Sequence, residues 1–117
     1  MRRIFQIILC TGFLYFFNSA AITAQSVVTD TLTVQGVCGM CEKRIEKAAF
    51  VKGVKMAEWD KNVQKLVLVY KPKKTNLETI SSAVANVGHD TELAKAPQAA
   101  YDELPDCCAY RDGVKPH

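Results

Sequence analysis

Two cysteines separated by two residues, Cys38 and Cys41 in GVCGMCEKRI (Gly36–Ile45), are the first group in the chain equipped for chemistry. Paired thiolates are soft ligands that select Cu(I), Zn or similar ions over Mg or Ca. The same pair can also exchange disulfides or close a structural one, and its spacing alone leaves all three roles open. Near the C-terminus lie the adjacent Cys107 and Cys108, and His89 follows Gly88. Adjacent cysteines are poor partners for each other, because consecutive Cα atoms lie about 3.8 Å apart and disulfides prefer roughly 4.4–6.8 Å. Their partners are expected elsewhere. They can add soft ligands to the main site, bridge to Cys38 or Cys41, or join two chains.

Such side chains need elements to position them. In VTDTLTVQ (Val28–Gln35), Leu32 and Val34 share one face and Thr31, Thr33 and Gln35 the other, the period of a half-buried strand. From Cys41, apolar Ile45, Ala48 and Ala49 recur at helical spacing among charged residues until Gly53, which predicts a helix of about three turns. Cys41 then stands in the first helical turn, where the peptide dipoles favour thiolate over thiol, and Cys38 in the exposed loop before it. Val54–Asp60 and Gln64–Tyr70 read as a hairpin joined at Lys61-Asn62. Thr75-Asn76-Leu77-Glu78 has the form of a capping box, and Leu77, Ile80, Val84 and Val87 carry a second helix to Gly88. A short strand around Asp90–Leu93 completes the order βαββαβ. The expected class is α+β: a ferredoxin-like sandwich, with a four-stranded antiparallel sheet and two helices on one face. Trp59 is expected to pack in the core or hairpin, and Met40 to shield the loop.

These residues resemble a known family. GVCGMCEKRIEKA, the Gly53-Val54 pair, the hairpin with KLVLVY (Lys65–Tyr70) and VGHDTEL (Val87–Leu93) are similar to the heavy-metal-associated domain of copper chaperones and periplasmic mercury-binding proteins. The resemblance implies that Cys38 and Cys41 are metal ligands, with Cu(I) the first candidate ion and Hg(II) or Zn(II) the alternatives. His89 falls where many members of the family have tyrosine, which makes it a candidate third ligand or a modulator of release, set against a plain surface-loop histidine. Cys107 and Cys108 are the remaining candidate ligands. The loop departs from the usual family pattern in having Val37 alone between Gly36 and Cys38, without the customary methionine. Implied partners are a metal-transporting membrane protein or another metal-binding domain, with the chain a monomer or a metal-bridged dimer.

Compartment and charge narrow the reading. MRRIFQIILCTGFLYFFNSAAITAQ has Arg2 and Arg3 before an apolar stretch and then small residues, the pattern of a signal peptide over residues 1–24. Its apolar run is shorter than the roughly 20 residues a membrane span needs, so contact with the membrane is expected only through this segment. Cys10 would leave with it, and the mature chain is expected to be periplasmic or secreted. The expected organisation is therefore a signal over 1–24, a metal-binding domain over 28–94 and a cysteine-containing tail over 95–117. The chain has 15 basic and 12 acidic residues, and Arg2 and Arg3 belong to the signal, so no nucleic-acid footprint is expected. Lys71, Lys73 and Lys74 read as a solvated loop. The sequence presents no Ser/His/Asp set, phosphate-cradling glycine loop or paired carboxylate cluster, and the expectation is a protein that is not an enzyme. The rival from another class is a thiol-disulfide exchange protein, although the expected fold is not thioredoxin's.

Overall fold

The computed structural model describes residues 26–117. The expected signal segment and Cys10 lie outside the described residues. Strand β1 (Val28–Thr33), β2 (Val54–Asp60) and β3 (Lys65–Tyr70) form an antiparallel sheet in the order β1-β3-β2. The register places Leu32 opposite Leu66, and Trp59 opposite Leu66 from the other side. Alternation thereby gathers Leu32, Leu66, Leu68 and Trp59 on one buried face. Helix α1 (Gly39–Ala49) contributes Ile45 and Ala49 to that core, and α2 (Leu77–Ala85) contributes Ile80 and Val84.

Several details depart from expectation. The segment after α2 does not form a strand among the described residues; it adds a single antiparallel bridge, Val34 to Thr91, at the free edge of β1. The reason is local competition. Thr91 Oγ1 accepts from the Leu93 and Ala94 amides, and Asp90 Oδ1 accepts from the Ala96 amide, so side chains curl the backbone where a ladder would need it extended. The sheet is therefore three-stranded, with the bridge marking the place of a fourth strand. The N-cap of α2 is Asn76, whose Oδ1 accepts from the Thr79 amide at 2.8 Å, and not Thr75. Asparagine ranks above threonine at this position.

The hairpin turn runs over residues 61–64 and ends at Gln64 with φ +57°. Gln64 repays this left-handed backbone by tying the hairpin to the loop before α1: its Oε1 accepts from the Gly36 amide at 2.8 Å and its carbonyl accepts from Val34 at 3.0 Å. Gly36 is also sterically required, since a Cβ there would lie 2.8 Å from the Trp59 ring. Trp59 is buried as expected, and its Nε1 donates to the Val34 carbonyl at 3.0 Å.

Past Ala96 the chain folds back onto the core. Helix α3 (Gln98–Asp102) and two single 3-10 turns, Asp106–Cys108 and Tyr110–Asp112, follow prolines or lie just beyond them, with Pro97 capping α3 and Pro105 capping the first turn. Tyr110 fixes this segment to the core: its hydroxyl donates to the Gly88 carbonyl at 2.6 Å and accepts from the Asp90 amide at 2.8 Å. Gly88 has φ +107°, and a Cβ there would meet the Ala100 carbonyl oxygen at 2.8 Å. The glycine thus serves both the end of α2 and the close approach of the tail.

Candidate metal centre

Cys38 is the N-cap of α1, with extended backbone, and its carbonyl accepts the first helical bond from Glu42 at 3.0 Å. Cys41 lies in the first turn, as expected, at the positive end of the helix. The exposed loop expected at Cys38 is instead covered: Cys38 is 7% exposed, and Cys41 and Cys108 are fully buried. The C-terminal turns supply the cover. Sequence periodicity carries no signal for a contact between residues this far apart in the chain.

The four cysteine sulfurs among the described residues converge. Cys38 Sγ lies 3.9 Å from Cys41 Sγ, 3.8 Å from Cys108 Sγ and 3.9 Å from Cys107 Sγ. Cys107 Sγ is 4.0 Å from Cys108 Sγ. Cys41 and Cys108 are joined as a disulfide with their Cα atoms 6.3 Å apart, while Cys38 and Cys107 carry free thiols. Of the alternatives for the tail cysteines, a bridge to Cys41 is the one observed, and it is made by Cys108. Cys107 stands at the rim, partly exposed, with the exposed Met40 sulfur 3.9 Å away. Met40 thus faces solvent at the mouth of the site.

Burial raises the cost of charge on Cys38. The backbone N–H groups of Cys41 and Met40, the Cys107 thiol and the Arg44 guanidinium overcome it and hold the Cys38 pKa below the ordinary thiol value. Cys107 moves the opposite way, pushed up by burial and by the hydrogen bond and charge of Cys38. The arrangement favours a thiolate on Cys38 and a thiol on Cys107. Arg44 Nη1 also donates to Cys108 Sγ at 3.6 Å, which brings a positive charge to the sulfurs.

His89 is fully buried and is not a surface-loop residue. Its Nδ1 lies 2.8 Å from the Gln35 carbonyl, its ring stacks on Tyr110, and Nε2 has no hydrogen-bond partner. The sulfurs of Cys38, Cys41 and Cys108 lie within 4.8 Å of one another, and His89 is not part of that group. The structure therefore brings together the cysteines and leaves His89 beneath the tail. His117, at the chain end, is exposed, and Lys73 and Lys74 are exposed in their turn as expected.

Arg111 is the residue that sequence reasoning missed. Its Nε and Nη2 donate to Asp90 Oδ2 and Oδ1 at 3.0 and 2.6 Å, Nη2 also donates to the Ala96 carbonyl at 2.9 Å, and the guanidinium lies 4.5 Å above the Tyr101 ring. The Tyr101 hydroxyl accepts from the Arg111 amide at 3.2 Å and donates to Asp112 Oδ2 at 3.1 Å. This clasp fastens the Tyr110–Asp112 turn, which closely follows Cys108, to Asp90 and Ala96. Its only trace in the sequence is the aromatic and charged run AYRD directly after the cysteine pair.

No protein-family model matches the sequence, and a search of curated proteins returns no match. Solved structures do match. The CopZ metallochaperone aligns at 24% identity with a TM-score of 0.53, over 55% of this chain and 98% of its own. A candidate copper-ion-binding protein from Bacillus anthracis aligns at 21% identity and a TM-score of 0.55, over 59% of this chain and all of its own. A copper form of a CopA variant from Bacillus subtilis aligns at 23% identity and a TM-score of 0.50, over 57% of this chain and 91% of its own. The chain has the fold of these domains, and a substantial part of it lies outside the likeness.

Proposed function

We infer that the chain is an exported heavy-metal-associated domain protein that captures a thiophilic ion through Cys38 and Cys41, for transfer or sequestration. Cu(I) is the first candidate, and Hg(II) or Zn(II) the next. The observation that carries this reading is the convergence of cysteine sulfurs at the start of α1, within a fold shared with a metallochaperone and copper-binding domains. Cys38, whose thiol pKa is held below its ordinary value, supplies the soft donor, and nearby sulfurs allow ligand-by-ligand exchange with a partner. That partner is a metal-transporting membrane protein or another metal-binding domain. Export rests on residues 1–24, and the amino-terminal sequence of protein recovered from the producing cell checks it.

The test of the site is competition of the reduced protein with a chromogenic Cu(I) chelator. The Cys38→Ser, Cys41→Ser double variant is expected to lose tight binding. Affinity equal to wild type in the double variant overturns the reading.

A second reading has its own observation. The free Cys38 sulfur lies 3.9 Å from one sulfur of the Cys41–Cys108 disulfide and 3.8 Å from the other, a placement suited to thiol-disulfide exchange. Catalytic turnover of a substrate disulfide by a chain that binds no soft metal would favour it.

A further inference from the structure

We propose that Cys108 is a third ligand, which completes a closed three-sulfur site with Cys38 and Cys41, and that the Cys41–Cys108 disulfide is the metal-free, closed state of that same site. This rests on the metal-binding reading of Cys38 and Cys41 and specifies what the tail adds to it.

Geometry is the first argument. For metal–sulfur bonds of about 2.3 Å, sulfurs around one ion lie roughly 3.8 Å apart in a tetrahedron and about 4.0 Å apart in a trigonal plane. The Cys38 sulfur meets that spacing twice, at 3.9 Å from Cys41 and 3.8 Å from Cys108. All three sulfurs lie within 4.8 Å of one another. A two-cysteine loop alone would leave an ion open to solvent; here the three residues are buried, and the cover is the tail itself.

The tail, moreover, does not depend on the disulfide for its position. Arg111 holds Asp90 and the Ala96 carbonyl, Tyr110 holds Gly88 and Asp90, and Tyr101 packs against both Arg111 and Tyr110. When the sulfur–sulfur bond opens, Cys108 remains facing Cys38 and Cys41. Three thiolates around a monovalent ion carry a net negative charge, and Arg44 at 3.6 Å from the Cys108 sulfur offsets part of it. Cys107 is the more exposed sulfur, 3.9 Å from Cys38 and next to Met40, at the mouth through which an ion would enter or leave.

The chemistry balances with a dithiol reductant. Its two thiols give two electrons and two protons to the Cys41–Cys108 bond; that bond breaks, Cys41 and Cys108 become thiols, and the reductant closes its own disulfide. The incoming ion then displaces the proton of each thiol that ligates it. Disulfide and metal exclude each other, because both require the Cys41 and Cys108 sulfurs.

The experiment uses the full chain, reduced and oxygen-free, with one equivalent of Cu(I). X-ray absorption is expected to count three sulfurs in the wild type and two in Cys108→Ser, and the variant is expected to lose at least about 10-fold in Cu(I) affinity. Oxidised wild-type protein is expected to take up no Cu(I) until a dithiol is added. Arg111→Ala retains every cysteine and is expected to weaken binding in the same direction by releasing the tail. Unchanged affinity and sulfur number in Cys108→Ser overturn the proposal and make Cys108 a covalent staple. So does full Cu(I) uptake by the oxidised chain, or wild-type affinity in Arg111→Ala once proteolysis shows its tail released. Loss of binding in Cys38→Ser, Cys41→Ser alongside an unaffected Cys108→Ser refutes this inference while leaving the two-cysteine site intact.

Discussion

Arg111 grips both carboxylate oxygens of Asp90 across 21 residues of chain, at 2.6 and 3.0 Å, three residues beyond the Cys108 sulfur that bonds to Cys41. Two fastenings only three residues apart thus hold the C-terminal segment, one by ionic hydrogen bonds at Arg111 and the other by sulfur at Cys108.

The clasp is the first object of test. Arg111→Ala is expected to lower the stability of the reduced chain by about 1–2 kcal/mol, since charge-assisted bonds are worth more than neutral ones but both side chains retain some solvent contact. Chemical denaturation measures the loss. Limited proteolysis past Ala96 is expected to accelerate in the variant, and unaltered cleavage would show that the sulfur contacts alone hold the tail.

Acid sensitivity follows from His89. Burial pushes its pKa down to about 4, with the Arg44 charge acting in the same direction, against the Gln35 carbonyl and Asp90. The folded pKa is below the ordinary 6.5, so the unfolded chain takes up the proton first as pH falls. Stability is complete above about pH 6.5 and is lost progressively towards pH 4, by roughly 3 kcal/mol in all. Asp90 extends the loss: although burial opposes it, Arg111 and the Ala96 amide hold its pKa below the usual carboxylate value, so its contribution disappears at still lower pH. His89→Gln keeps a donor for the Gln35 carbonyl and is expected to flatten the upper part of this profile. Parallel wild-type and variant curves between pH 4 and 6.5 would contradict the assignment.

Gly36→Ala tests how the loop is held. The added methyl meets the Trp59 ring at 2.8 Å and the Ile45 side chain at 3.2 Å, both in the core. A destabilisation of about 1–3 kcal/mol is expected from overpacking, read as a lowered denaturation midpoint with an altered Trp59 emission spectrum. A neutral substitution would mean that the indole can move aside at no cost.

The cap of α2 gives a smaller, cleaner number. Asn76→Ala removes the acceptor for the Thr79 amide and is expected to cost about 1 kcal/mol, whereas Thr75→Ala removes no capping bond. Equal effects from the two substitutions would return the cap to Thr75.

How far the sequence is legible depends on the range over which each feature is decided. Val54–Asp60 coincides with its expected strand, and Ile45, Ile80 and Val84 are buried on the helix faces their spacing predicts, because period and propensity act over a few residues. The position of Cys41 in the first turn of α1 is legible for the same reason. The strand expected at Asp90–Leu93 fails where two short polar side chains outbid the ladder, a contest that a period-two pattern does not register. The burial of Cys38 and His89 is invisible at sequence level, since both are covered by residues that arrive from the C-terminal segment. Asp90 carries no mark of its partner until Arg111 is brought beside it.

The link between Cys41 and Cys108 spans 67 residues and closes most of the described chain into a covalent ring, with both helices of the sandwich and the hairpin on its circumference. In the chain-entropy model a loop of that size removes about 4 kcal/mol of freedom from the unfolded state. A protease that cuts the exposed turn at Pro72–Lys74 would linearise the ring without dividing the molecule, and the two segments would separate only after the sulfurs part.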